Sequence, residues 1–161
     1  MTLLESLISP ITGPSDRILG GGGSAKVNTS GDLEIDGGLT NGALSNIKVA
    51  DTELTAMSGA TVTATNLIPA GAFIIGITAR VTTEITGATT WDLGDGSDVD
   101  RWGAALALSA GTLVDPTDYT VAGFGQFSSA SDVVLTANVS NFTAGAVRIT
   151  VHYIDLTAPT S

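Results

Sequence analysis

The second half of the chain alternates apolar and polar positions in three long runs. Phe73, Ile75, Ile77, Ala79 and Val81 interleave with Ile74, Gly76, Thr78, Arg80 and Thr82. Val133, Leu135, Ala137 and Val139 interleave with Val134, Thr136 and Asn138. Val147, Ile149, Val151 and Tyr153 interleave with Ala146, Arg148, Thr150 and His152. A period of two sends successive side chains to opposite faces of a strand, so each set predicts one face toward a core and one away. Threonine, valine and isoleucine dominate these runs, the β-branched types that fit a pleated, half-buried surface. Shorter pieces near 61–67, 88–93, 102–108 and 119–127 bring the total to about seven or eight strands. Gly87, Gly94-Asp95-Gly96, Asp115-Pro116 and Gly145 supply turn signals between them. No helix is predicted after residue 14. The expected fold class is all-β, a jelly-roll-type β-sandwich over residues 61–161.

The first sixty residues follow a different pattern. All eight aromatics (Phe73, Trp91, Trp102, Tyr119, Phe124, Phe127, Phe142, Tyr153) lie beyond residue 72. Aromatic rings bury the most area per residue, so residues 1–60 lack the material for a core of their own. Ten of the 20 glycines fall in that stretch, and Gly20-Gly21-Gly22-Gly23 reads as a flexible joint. Ahead of the joint, Leu3, Leu4, Leu7, Ile8 and Ile11 form a weakly helical apolar stretch limited by Pro10 and Pro14. After it, Asp32-Leu33-Glu34-Ile35-Asp36 alternates as a half-buried strand, with turns at Gly37-Gly38, Asn41-Gly42 and Ser58-Gly59. Residues 1–60 therefore read as an extended N-terminal arm for anchoring and oligomerisation. Leu33, Ile35, Leu39, Leu44, Ile47 and Leu54 find cover either between several chains or along the C-terminal domain of their own chain. The multi-chain arrangement is the preferred expectation, because small, thinly packed segments commonly need oligomerisation.

Charge then narrows the function. Six basic and 16 acidic residues leave a formal net charge of −10 in 161 residues. Such a chain repels phosphate backbones and anionic headgroups, so neither nucleic acid nor membrane is an expected partner. Charged residues make up only 14%, against about 25% in an average soluble domain. A surface so sparing of charge suits contact with other protein. Met1 to Pro14 carries Glu5 and no basic residue ahead of its apolar stretch, which does not read as a secretory signal. No apolar run approaches the roughly 18 residues of a membrane span.

Little in the chain points to catalysis. Cysteine is absent, which removes disulfides, thiolate chemistry and sulfur-ligated zinc, and the lone His152 cannot make a histidine-rich metal site. His152 stands mid-strand with no nucleophile-elbow sequence near it. Gly20 to Lys26 lacks the order of a phosphate-binding loop. The matches to the N-glycosylation pattern at Asn28, Asn138 and Asn141 carry no weight without a secretory route. The most distinctive string is Trp91-Asp92-Leu93-Gly94-Asp95-Gly96-Ser97-Asp98-Val99-Asp100-Arg101-Trp102-Gly103, with four aspartates in nine positions. Asp92, Asp95, Asp98 and Asp100 are weak candidates for a calcium site: oxygen ligands are present, but EF-hand spacing and a closing glutamate are not. The competing expectation is a tight connection between two strands, with Asp95-Gly96 as the turn, Arg101 paired with Asp98 or Asp100, and both tryptophans as core or interface anchors. Aspartates in one short turn do not make the separated carboxylate pair of a glycosidase. No enzyme activity, metal or cofactor is expected.

Several strings resemble a known family. Ile68-Pro69-Ala70-Gly71-Ala72-Phe73-Ile74-Ile75-Gly76-Ile77-Thr78-Ala79-Arg80, Trp91 to Gly96, Asp100 to Gly103 and Gly145 to Tyr153 are similar to the C-terminal β-domain of tailed-phage and gene-transfer-agent virion surface proteins. The likeness covers residues 61–157. It implies a jelly-roll-type module ending a head decoration protein, head fibre or spike, and homotrimers on a virion assembled in the bacterial host cytoplasm. The long N-terminal region of such proteins is missing here, which favours a small accessory of the head. The implied function is a capsid decoration (cement) protein or short head fibre, docking on the major capsid protein or another virion protein through its arm. The alternative is a receptor-binding adhesin for host surface glycan, with Trp91, Trp102, Tyr119, Phe124 and Phe127 as possible stacking platforms.

Overall fold

The computed structural model describes residues 24–27, 33–36, 44–115 and 125–158. The apolar stretch at residues 3–11, the glycine joint, Tyr119 and Phe124 lie outside the described residues. The chain divides into two compact units, Met1–Ile47 with Thr157–Ser161, and Lys48–Leu156. In the first, β1 (Ser24–Val27) and β2 (Leu33–Asp36) pair antiparallel, with Ala25 opposite Ile35 and Val27 opposite Leu33. β2 is the strand expected from the alternation at 32–36.

The second unit holds two antiparallel sheets. β3 (Leu44–Leu54) carries into it from the first unit and is followed by β4 (Thr61–Ile68), β5 (Phe73–Thr86), β6 (Thr90–Gly94) and β7 (Gly103–Leu106). β8 (Leu113–Val114), β9 (Gly125–Gln126), β10 (Ser131–Asn138) and β11 (Ala144–Thr157) complete the set. One sheet runs β3-β11-β5-β8, with β9 also on β5; the other runs β4-β10-β6-β7. The chain thus switches sheet at β3 to β4, β4 to β5, β5 to β6, β7 to β8, β9 to β10 and β10 to β11. That order is the jelly roll, with β9 a short addition in the β8–β10 connection. β3, which the sequence pattern leaves in the arm, is an edge strand of the sandwich.

The inner faces supply the core. Val133, Leu135, Trp91, Leu93, Ala64 and Ile68 on one sheet meet Val147, Ile149, Val151, Ile74, Ile77 and Val81 on the other, all buried. Leu54 and Ala50 of β3 pack against this core, whereas Ile47 is 46% exposed. For Leu54 the cover is therefore its own chain.

Two faces differ from the simple alternation, both through backbone irregularities. On β5 the register against β11 shifts between His152 and Tyr153: His152 opposes Gly76 and Tyr153 opposes Ile74, leaving Ile75 as an extra residue. A one-residue bulge reverses the faces beyond it. Ile77, Ala79 and Val81 are buried as their period predicts, but Ile74 replaces Phe73 and Ile75 on the inner side. The run at 133–139 also stops short. Val139 has φ 75° and is 91% exposed in the turn after β10, not on its inner face.

Candidate functional site

The aspartate string is the connection of the β6–β7 hairpin, as the turn chemistry predicts. Asp95 organises it. Its Oδ1 accepts hydrogen bonds from the Ser97 backbone N–H at 3.1 Å, the Ser97 hydroxyl at 2.8 Å and the Asp98 N–H at 2.9 Å. Gly94 and Gly96 permit the fold of the loop: Gly96 has φ 83°, and a Cβ on Gly94 would collide with the backbone of Asp98 and Val99. Arg101 Nε lies 3.0 Å from Asp95 Oδ2, inside the loop. The expected partners of Arg101, Asp98 and Asp100, are thereby corrected. Asp95 is the carboxylate that the turn amides fold inward, so it is the one a neighbouring guanidinium can reach.

Electrostatics separate these acids. Burial pushes Asp95 up, but the Ser97 hydroxyl, the backbone amides and Arg101 outweigh it and hold the carboxyl below its ordinary range. Asp100 moves the other way, raised chiefly by hydrogen bonding with Asp98, then by some desolvation and by the charge of the same neighbour. Asp92 is turned to a different task. Its Oδ1 accepts from the Ala105 backbone N–H at 2.7 Å and from Asn138 Nδ2 at 2.9 Å, tying β6 to β7 and β10. Ala105 has φ 52° at the bulge that opens β7, and the Asp92 carboxylate secures its amide there. Asp92 and Asp95 are thus committed to separate partners, while Asp98 and Asp100 face each other. Among the described residues no three His, Asp or Glu side chains group as metal ligands do.

The tryptophans bracketing the loop are core. Trp91 and Trp102 are both 0% exposed, and Trp91 Nε1 donates to the Ala107 carbonyl at 2.9 Å. Neither ring is free to stack on a sugar. Phe127 packs partly buried against the core. His152 Nε2 lies 3.1 Å from the Thr78 hydroxyl, a cross-strand contact on the outer face of the β3 sheet.

That outer face carries the densest charge network of the unit. Arg148 of β11 reaches Asp51 at 3.3 Å and Glu53 at 2.9 Å on β3, and the Thr82 hydroxyl donates to Glu53 at 2.6 Å. The Thr82 bond first, then Arg148, hold Glu53 below the usual carboxylate range. Lys48 binds Asp155 at 2.7 Å and fixes one end of β3 beside β11. Of the large apolar residues that are well exposed, Val49, Phe73, Ile75, Leu113 and Leu156 all belong to strands of this sheet. The sequence pattern missed Phe73 and Ile75 because the bulge that reverses them leaves no mark in the alternation. A shallow open groove of about 470 Å³ lies between the edges of β3 and β4, lined by Ala50, Thr52, Leu54, Thr63, Thr65 and Leu67 among others.

No protein-family model matches the chain. No curated protein matches it. Solved structures that match include a chain titled "Cyanophage Pam1 capsid asymmetric unit", at 20% identity and a TM-score of 0.44, covering 73% of this chain and 89% of that one.

Proposed function

We propose that this chain is a structural virion protein of a tailed bacteriophage, a capsid decoration (cement) protein or short head fibre. It trimerises and docks on the major capsid protein or another virion protein through its N-terminal arm, the residues ahead of β3. The observation that supports this most is how the chemistry of the jelly roll is used. Asp92, Asp95 and Arg101 are committed to holding the β6–β7 hairpin, while one sheet keeps large apolar side chains outside. Polar groups hold the scaffold, and an apolar surface is left for protein contact. The strings similar to virion surface proteins fall on β4–β5, on β6 with its loop, and on β11, so they span both sheets. The acidic surplus suits a particle surface that must stay solvated and non-adherent. The adhesin reading loses two of its platforms, because Trp91 and Trp102 are buried.

Locating the protein in purified particles by cryo-electron microscopy, with quantitative mass spectrometry for copy number, tests this. Density on the head lattice at many copies per particle is expected. Density confined to the tail tip would overturn the decoration reading in favour of the adhesin. A variant lacking residues 1–19 should fold and fail to join particles; full occupancy by that variant would remove the anchor role from the arm.

A further inference from the structure

We propose that Asp92 and Asp132 are a pair of clamps that keep both edges of the β4-β10-β6-β7 sheet bulged, and so closed to strand pairing with another chain. β4 and β7 are the outer strands of this sheet. The two carboxylates stand in equivalent places beside them. Ser131 of β10 opposes Ile68 and Val133 opposes Ala64, so the single Asp132 faces Thr65, Asn66 and Leu67 of β4. Trp91 of β6 opposes Leu106 and Leu93 opposes Gly103, so the single Asp92 faces Ala104 and Ala105 of β7. In both cases the extra residues lie on the edge strand and the aspartate on its inner neighbour.

The backbone inside each bulge is left-handed. Asn66 has φ 53° and Ala105 φ 52°; among the described residues Val139 is the one other non-glycine with positive φ. L-residues resist that conformation, asparagine less than alanine, so a local contact must hold it. The Asn66 N–H donates to Asp132 Oδ1 at 2.8 Å, and the Ala105 N–H donates to Asp92 Oδ1 at 2.7 Å. Hydrogen bonds to a carboxylate are stronger than those between neutral groups. An amide engaged in this way is withheld from an incoming strand, and the bulge breaks the regular spacing that such a strand would need. The other sheet blunts its edges by other means. β8 and β9 are two residues each, and β3 carries Lys48, Asp51 and Glu53. Neither β4 nor β7 contains a charged residue or a proline, so the bulges are what remains to protect them.

Hydrogen exchange followed by NMR, with light scattering on the full chain, tests this. Both amides should be protected in the wild type. Asp132→Ala should speed exchange at Asn66 and Asp92→Ala at Ala105, each by at least about tenfold, since exchange reports local opening. The double variant Asp92→Ala/Asp132→Ala should form species heavier than the wild type, growing with concentration over about 1 to 100 μM, the range of ordinary protein contacts. This holds whatever the oligomeric state of the wild type. Ile149→Ala, which loses stability with both bulges intact, should keep the wild-type mass. A thermal melt confirms that each variant is folded. Should the double variant fail to fold, Asp132→Ala, which leaves the Asp92–Asn138 contact in place, is read instead. Unchanged exchange at both amides overturns the clamps. Freed amides with the wild-type mass at every concentration overturn the protection of the edges. Equal association by Ile149→Ala would assign it to lost stability and overturn that protection as well.

Discussion

The two sheets of the sandwich share one alphabet of residues on their inner sides and differ on their outer ones. On the β4-β10-β6-β7 sheet, Thr61, Thr63 and Thr65 lie outside on β4, with Thr136 and Asn138 on β10 and Asp92 on β6. Asn138 Nδ2 there donates to both the Thr90 hydroxyl and the Asp92 carboxylate, joining β10 to β6. On the β3-β11-β5-β8 sheet the corresponding positions hold Val49, Phe73, Ile75, Leu113 and Leu156, with a charge network between them. Threonine and isoleucine are both branched at Cβ, and both favour strands. Exchanging one for the other alters what a sheet can meet while the fold is kept.

The largest expected effect treats the two sheets as equals. Trp91→Ala on one inner face should cost about 3–5 kcal/mol, and Ile149→Ala on the other about 2–5. Urea unfolding measures both. A loss under about 1 kcal/mol at either site, the level of a tolerated swap, would mean that sheet is not packed as described. Gly94→Ala probes the hairpin of the threonine-faced sheet alone and should cost about 1–3 kcal/mol, the scale of overpacking, because only backbone stands in the way. Ile75→Thr, the matching probe of the other outer face, should stay within about 0.5 kcal/mol.

Smaller effects sharpen the local picture. Val139 is β-branched, exposed and at φ 75°, a conformation costing a non-glycine residue about 1–2 kcal/mol. Val139→Gly should therefore raise the thermal midpoint by several degrees; a fall would show that the side chain carries an unrecognised contact. The acids of the β6–β7 loop should titrate on opposite sides of the ordinary value of 3.8. Asp95, depressed when folded, contributes stability above its unfolded pKa, and that contribution is lost as pH falls through the folded value. Asp100, raised when folded, has the opposite sign: protonating it on the way down from neutral pH relieves the fold. Carboxyl carbon shifts followed by NMR give both midpoints directly, and a reversed order would break the assignment of Asp95 as the turn centre. Melting curves in EDTA and in millimolar calcium should agree within a degree or two. A rise of about ten degrees would mean an ion binding the native state with roughly 4 kcal/mol, and would make the four aspartates ligands after all.

Much of this was legible beforehand. The period-two runs gave β5, β10 and β11 and the buried positions Ile77, Val81, Leu135, Ile149 and Val151, since burial of one face imposes alternation. Asp95-Gly96 between two tryptophans announced a hairpin, because turn geometry is set by local backbone chemistry. Three things were not legible. Bulges insert single residues without a compositional mark, which hid the outward turn of Phe73 and Ile75. β3 lacks strong alternation, and it is held as an edge strand by Arg148 and Asp155, partners about a hundred residues away. The choice of Asp95 over Asp98 or Asp100 for Arg101 depends on which carboxylate the loop folds inward, a three-dimensional matter.

The place of β11 has a consequence for biosynthesis. It lies between β3 and β5, and β10 lies between β4 and β6, so the middle of each sheet comes from residues after 130. While the ribosome is still extending the chain through β9, neither sheet has its central strand, and β3 and β4 have no neighbour within their own sheets. The emerging polypeptide must hold four unpaired edges open until these two segments appear, and then close both layers in one late step. Such a chain should fold after translation, slowly for its size, and should depend on chaperones or on low expression rate to avoid pairing its open edges with those of another nascent copy.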